Sequence, residues 1–415
     1  MTWRYVTAVF LAAYMLGPAF CRADETSAQP ATAEAGELPI EYVPLDAPEG
    51  MSQAVMVQGL PLVHTRQLLP LDAAGELVGE GAVDEQIEQV LDNLEAVLKD
   101  AGSGLDRLVR LHVYALAPPT IVRVRELLGK RLPPAVRPAI TAVLTPLPRR
   151  GAEVALDAVA AGTGSGDGVV RRRSEAVAGE ANRADAAVLP PGGAVYLSGL
   201  PADGGLTESA VDRAMSELMD TLDLLQLEPE HVVQVKVFLR PVTSAEEVLR
   251  EVEKFFPDQM TPPVVFVEWL ASVPIEIEMV AQLPPSDEGG ERLEFFTPPE
   301  VRPSHIFSRV ALVRADRKIY VSGQYARKPS RGEPQAIYVF EQLQEILDRT
   351  GSDMRHLVKG TYYVADHDAS RWVDRTRPTV FDPQRPPAAS KATVHAVGME
   401  GRTMTIDMIA VESGR

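Results

Sequence analysis

The residues best placed to do chemistry are two glutamates one residue apart in the run Ile275-Glu276-Ile277-Glu278-Met279. On a strand they share a face, and two neighbouring carboxyls can divide acid and base work. A structural role for Glu278 is the competing reading, because Asp157 and Asp407 occupy the matching points of Asp157-Ala158-Val159-Ala160 and Asp407-Met408-Ile409-Ala410. His112 and Tyr114 lie on one face of Val109-Arg110-Leu111-His112-Val113-Tyr114 and are candidates to line a ligand pocket. A hydrogen-bonded interface histidine is the other reading of His112. Asp366-His367-Asp368 looks like a metal-binding triplet, but it precedes a helical pattern, where aspartates cap the first turn. The seven histidines show no zinc spacing, and the chain has no nucleophile elbow, P-loop or His-Glu-x-x-His. No metal and no cofactor is expected.

The elements that must position these residues come in threes. Ile87, Val90, Leu91, Leu94, Val97 and Leu98 form an apolar helical stripe; so do Val211, Met215, Leu218, Leu222 and Leu225, and again Ile337, Phe340, Leu343 and Leu347. Gly102 and Gly351 stop the first and third helices. Each helix precedes an alternating strand: 109–114, Val233-Gln234-Val235-Lys236-Val237-Phe238, or Val358-Lys359-Gly360-Thr361-Tyr362-Tyr363. One face is apolar, with Val109, Leu111 and Val113 in the first strand, and packs under helices. The other is mixed and needs a different partner. Second helices are expected from Thr120, from Ser244 (a capping box with Glu247) and near Asp368. Each unit opens with a hairpin such as Val188 to Tyr196, where Pro190, Pro191, Gly192 and Gly193 force the turn.

This order, repeated three times, resembles the RidA family (YjgF, also known as endoribonuclease L-PSP). The third copy carries Ser322-Gly323-Gln324 at the family's strand end, the second Ser198-Gly199-Leu200 and the first Thr65-Arg66-Gln67. The closing segments Leu147 to Ala160 and Pro274 to Ala281 resemble the family's last strand. The resemblance implies three tandem chorismate-mutase-like α+β domains, each a mixed sheet with two helices on one face. It also implies ligand contacts at Ser322, Gly323 and Gln324. Family members are homotrimers with small-molecule pockets between subunits, so three copies on one chain imply an intrachain pseudo-trimer and a monomeric polypeptide. Tethering sets an effective concentration of about millimolar.

Active members hydrolyse 2-imino acids to 2-keto acids. A Pro-Ala-Arg arginine grips the carboxylate and a glutamate on the closing strand places the water. Here Ile140, Val264 and Ala389 stand at the arginine position, and Ala155, Glu276 and Thr405 at the glutamate position. No copy has the pair, and losing the cation removes a contact of about 1.5–3 kcal/mol. Lys391, two residues past Ala389 on the same strand face, is a candidate substitute; a solvated rim lysine is the alternative. Glu276 and Lys391 are therefore the catalytic candidates. Two functions compete: a RidA-type imine deaminase with degenerate sites acting on imino or keto acids, and a non-catalytic module binding a small molecule or a protein.

Bulk properties set limits on both. The 415 residues suit three domains, with charge −17. Arg4, the apolar run Tyr5–Leu16 and Ala23 form an expected export signal over 1–23, too short to span a bilayer, which implies a periplasmic or secreted protein. Its removal takes away Arg4 and Arg22 and no acid, leaving −19 and no cysteine, since Cys21 is the only one. That field repels phosphate backbones, so nucleic acid is not an expected partner and a ribonuclease is the third reading; nor is a membrane, once the signal is cleaved. The expected layout is a disordered leader over 24–48 and domains at 49–161, 174–283 and 293–415, joined by linkers at 162–173, which holds Arg171-Arg172-Arg173, and 284–292.

Overall fold

The repetition in sequence is a repetition of elements. The first segment runs β1 (Ile40–Val43), β2 (Ala54–Gln58), β3 (Leu62–Thr65), α1 (Val83–Asp100), β4 (Leu108–Ala115), α2 (Pro118–Arg131), β5 (Ala139–Leu144) and β6 (Val154–Ala161). The second runs β7 (Val170–Arg172), β8 (Ala186–Leu189), β9 (Gly193–Ala202), α3 (Glu208–Leu224), β10 (Val232–Leu239), α4 (Ala245–Glu253), β11 (Val264–Glu268) and β12 (Ile275–Leu283). The third runs β13 (Leu293–Phe296), β14 (Val310–Val313), β15 (Arg317–Gln324), α5 (Gly332–Arg349), β16 (Leu357–Val364), α6 (His367–Val380), β17 (Ala388–Thr393), a short β18 (Ala396–Val397) and β19 (Met404–Val411). The computed structural model describes residues 39–414 apart from 165, 203–207, 286–289 and 300. The export signal and residues 24–38 of the leader lie outside the described residues.

The helices form where the apolar stripes predict. All six stripe residues of α1 are buried, at about 1.5–3 kcal/mol each. α1 ends at Gly102, whose φ of +76° lets the Ser103 N–H reach back to the Leu98 carbonyl at 2.8 Å. Two details differ from expectation. Ile337 is exposed, because the buried stripe of α5 runs through Ala336, Val339, Phe340, Leu343, Ile346 and Leu347. Ser244 precedes α4 without a side-chain cap, its backbone being already turned toward helix at ψ 10°, whereas Asp366 does cap α6 by accepting from the Ala369 N–H at 2.7 Å.

There are three mixed sheets with two helices packed on one face of each, and they cut across the expected domain boundaries. One is ordered β1-β2-β15-β19-β16-β17, the next β11-β10-β12-β9-β14-β13, the third β18-β5-β4-β6-β3-β8-β7. Each segment thus lends its first two strands to another segment's sheet: β1 and β2 join the third segment, β7 and β8 the first, β13 and β14 the second. The exchange closes on itself. The expected hairpin over 188–196 is therefore not one. β8 pairs with β3 and β9 with β12 and β14, so Pro190, Pro191 and Gly192 join two strands that part company. Ile40–Val43, expected in the leader, pairs with β2. Val170–Arg172, expected in a linker, pairs with β8, and the Arg171 guanidinium bonds the Met260 and Pro229 carbonyls at 2.6 Å.

The expected apolar face is broken at the same point in all three copies. A β-bulge falls between Leu108 and Arg110, between Val232 and Gln234, and between Leu357 and Lys359. The extra residue flips Val109, Val233 and Val358 away from the helices. They join Val55, Val159, Tyr196, Tyr320 and Ile409 in a cluster built from all three segments. The mixed faces thereby meet one another.

Candidate functional site

Below that apolar cluster the mixed faces meet in a buried network of charges. The acids Asp157, Glu278 and Asp407 lie opposite His112, Lys236 and Thr361 in register. His112 sets Nδ1 against Asp157 at 2.9 Å and Nε2 against Asp407. Tyr114 donates to Asp157 at 2.6 Å, and Arg110 to Asp407 at 3.2 Å. The Lys359 ammonium donates to Glu278 at 2.6 Å and to Ser390 at 3.0 Å. Burial alone would raise the Asp157 carboxyl, yet His112 beside it brings it to about 2. Burial likewise opposes ionisation of Asp407, and Arg110 and His112 outweigh it. Glu278 follows the same pattern, held below the usual carboxylate range by Lys359 and Lys236 against its burial. His112 and Tyr114, expected to line a pocket, are instead committed to this network, with 3% and 0% of their surface exposed.

Glu276 behaves in the opposite way. It shares the face of Glu278, and burial, with Glu278 adding to it, pushes its carboxyl up to about 8; Lys359, Ser390 and Arg309 oppose the shift too weakly to cancel it. It packs against Gly199 so closely that a Cβ there would lie 1.9 Å from Oε1.

Three clefts lie where a strand end of one segment meets β5, β11 or β17 of another. β15 bulges so that Ser322 and Gly323 face Asp407 alone, and β9 bulges so that Ser198 and Gly199 face Glu278 alone. Bulges of this kind re-aim side chains beside sites. In the first copy Leu68 pairs with Leu156, as Gln324 does with Ile406. The structural match is therefore Arg66-Gln67-Leu68, one residue beyond the expected Thr65-Arg66-Gln67. The shift arises because the alignment by type placed Thr65 on serine, whereas Thr65 Oγ1 is turned to the Ala158 N–H at 3.0 Å.

A second position, missed in sequence, completes each cleft. The Ser322 N–H bonds the carbonyl of Gln53 at 2.9 Å, Arg66 that of Asp185 at 2.9 Å, and Ser198 that of Arg309 at 2.8 Å. Gln53, Asp185 and Arg309 are thus equivalents, and Ser52-Gln53 and Ser308-Arg309 share the serine that could have revealed two of them. In the first cleft the Gln324 side chain donates to Gln53 at 3.0 Å, and Gly323 and Gln324 line a cavity of 230 Å³ with Ile140 and Tyr325. Ser322 itself is structural, donating to the Ser52 carbonyl and accepting from the Ile140 N–H at 2.9 Å. In the second cleft Arg66 is bound to Asp185 at 2.6 Å beside a 360 Å³ cavity. In the third, Ser198, Leu200 and Arg309 line 640 Å³, and Ser198 Oγ accepts from the Ala389 N–H at 2.7 Å.

Lys391 does not join Glu276. Its ammonium bonds Asp374 of α6 at 2.5 Å, and Ala389 lies in the helix-side core. The two share a face, as expected, but that face is turned to the helix. Among the described residues no group of histidines and acids has the arrangement of a metal centre, and no helix is long and apolar enough to cross a membrane.

Three mixed sheets carrying paired helices, with clefts at Ser-Gly strand ends, define a class, and sequence comparison agrees with it. A family model described as Endoribonuclease L-PSP matches residues 45–162 and 299–412, more than half of the chain. The chain belongs to this family, that of RidA and YjgF. Protein DfrA of Myxococcus xanthus is 33% identical over 109 residues, 26% of this chain and 82% of that one. Among solved structures, the Rid-family protein YyfB of Yersinia pestis is 27% identical, covering 30% of this chain and 99% of its own with a TM-score of 0.26. RidA of an Antarctic Psychrobacter is 22% identical, covering 23% and 80% with a TM-score of 0.21.

Proposed function

We propose that the chain is a small-molecule protein of the Rid type whose three copies close as an intrachain pseudo-trimer, with imine-hydrolysing chemistry confined to the cleft at the Ser198-Gly199 strand end, against which Glu276 packs. The closed strand exchange and the apolar cluster shared by all three segments support the arrangement. Glu276 carries the functional reading: the other two clefts have Ala155 and Thr405 at its position, and neither can move a proton at neutral pH. As a carboxylate, Glu276 takes a proton from water as oxygen adds to the imine carbon. Returning that proton to nitrogen makes ammonia the leaving group, and as the C–N bond breaks the carboxylate takes the hydroxyl proton, leaving the carbonyl compound. With a carboxyl near 8, the base form grows as pH rises from 7 to 9.

The purified protein should accelerate loss of 2-iminopropanoate formed in situ, faster at pH 9 than at pH 7, and Glu276→Gln should abolish the acceleration. Absence of acceleration in the wild type leaves the second reading, a binding module. That reading is favoured by Ile140, Val264 and Ala389 at the arginine position. Export rests on the sequence of residues 1–23. The charge of −17 supports a partner other than nucleic acid.

A further inference from the structure

The 640 Å³ cavity is the largest of the three clefts and the only one of them whose second position is a cation. Gln53 is engaged by Gln324, and Asp185 by Arg66 and Arg173. Arg309 lines the same cavity as Leu200, which stands where the first cleft has Gln324 and whose side chain has no polar atom to offer. Its Nη1 is buried and, among the described residues, has no hydrogen-bond partner. Its guanidinium rests over the Phe307 ring, 5.4 Å from the centroid. Burial lowers its pKa, and Glu217 and Glu276 act on it only through space. A buried donor left unmade is costly, and here it borders a cavity large enough for a small organic molecule.

The rest of the lining says which molecule. Leu197, Leu200, Leu218, Val301 and Val310 make the wall apolar, while Glu217, Asp220 and Asp223 stand along the α3 side and are exposed. One fixed cation matches one carboxylate, the apolar wall matches a hydrocarbon chain, and the acidic side repels a second anion.

We propose that this cavity binds an apolar monocarboxylate, its carboxylate held by Arg309 and its chain by the leucine-lined wall. The inference rests on the reading above and deepens it. The cation lost at Ala389 is supplied from another strand, and the preferred ligand is bulkier than a three-carbon acid. Arginine is suited to the task because its planar donors match a carboxylate.

Isothermal titration with 4-methyl-2-oxopentanoate, a stable carbonyl compound, tests it without any reaction. Saturable binding is expected, at least about tenfold weaker in Arg309→Gln, the scale of one charge-assisted contact. Pyruvate and butanedioate should bind more weakly than the branched acid. The double variant Leu200→Gln/Arg309→Gln, which copies the Gln53–Gln324 pair, should melt like the wild type and fail to bind. No saturable binding, equal binding by Arg309→Gln, or tighter binding of butanedioate would each overturn the proposal. Glu276→Gln should still bind, and a wild type that binds the acid but accelerates no imine hydrolysis sinks the catalytic reading alone.

Discussion

The central network and the Arg309 cleft both hold buried atoms of charged side chains, yet they end differently. Around His112 every acid finds a partner within the protein: Asp157 and Asp407 share the imidazole, Asp407 also has Arg110, and Glu278 has Lys359. In the cleft a guanidinium atom is buried with no such partner among the described residues. Charges satisfied internally hold segments together; a charge left over beside a cavity is available to something else. The sharpest way to break this contrast is His112→Ala. Removing the imidazole strips a partner from two buried carboxylates at once, and breaking a buried pair from one side costs about 3–5 kcal/mol. Chemical denaturation should show a loss of that size, with Arg309→Gln changing stability far less. Equal losses would mean that Arg309 is structural too.

Gly199 sharpens the cleft side. A methyl group there meets Glu276 Oε1, its Cδ and its Cγ, the last two at 2.4 and 2.6 Å, so Gly199→Ala must displace the carboxyl. Overpacking of this kind costs about 1–3 kcal/mol. Glu276→Ala in the same chain should relieve it, so a double-mutant cycle should show strong coupling. Additivity would indicate that the strand, not the carboxyl, needs the glycine.

How far these contrasts were legible in sequence depends on what sets them. Helices and strands were readable because burial on one face leaves a period: Ile87 to Leu98 could hardly be anything but a packed helix. The exchange of opening strands was not, because Pro190-Pro191-Gly192 turns the chain equally well whether the flanking strands pair or diverge. The bulges at Val109, Val233 and Val358 were hidden for a related reason. They preserve composition and change only which side a valine faces. Glu276 was found through its alternating run. Arg309 was missed because it precedes the strand motif and gains meaning only from the Ser198 amide that binds its carbonyl.

Glu276 also leaves a signature in stability. Its carboxyl is raised from 4.5 to about 8 in the folded chain, so the folded state holds a proton that the unfolded state releases. This contribution is fully present below about pH 4.5 and is lost as pH rises through about 8. Between pH 6 and 9 the wild type should therefore lose melting temperature relative to Glu276→Gln, which carries no such proton. Parallel curves for the two would place the carboxyl in water, contrary to its burial under Gly199.

The smallest effect is expected at Lys391. Strand parity correctly put it on the face of Ala389, but parity does not say whether that face meets a cleft or a helix. The ammonium is held by Asp374, with 28% and 39% of the two side chains exposed. Solvent screening leaves a pair of this kind worth under about 1 kcal/mol. Lys391→Ala should shift the melting temperature slightly and leave both the imine rate and the affinity for 4-methyl-2-oxopentanoate unchanged. A tenfold loss of either would return Lys391 to the site, and would require that its salt bridge open when ligand arrives.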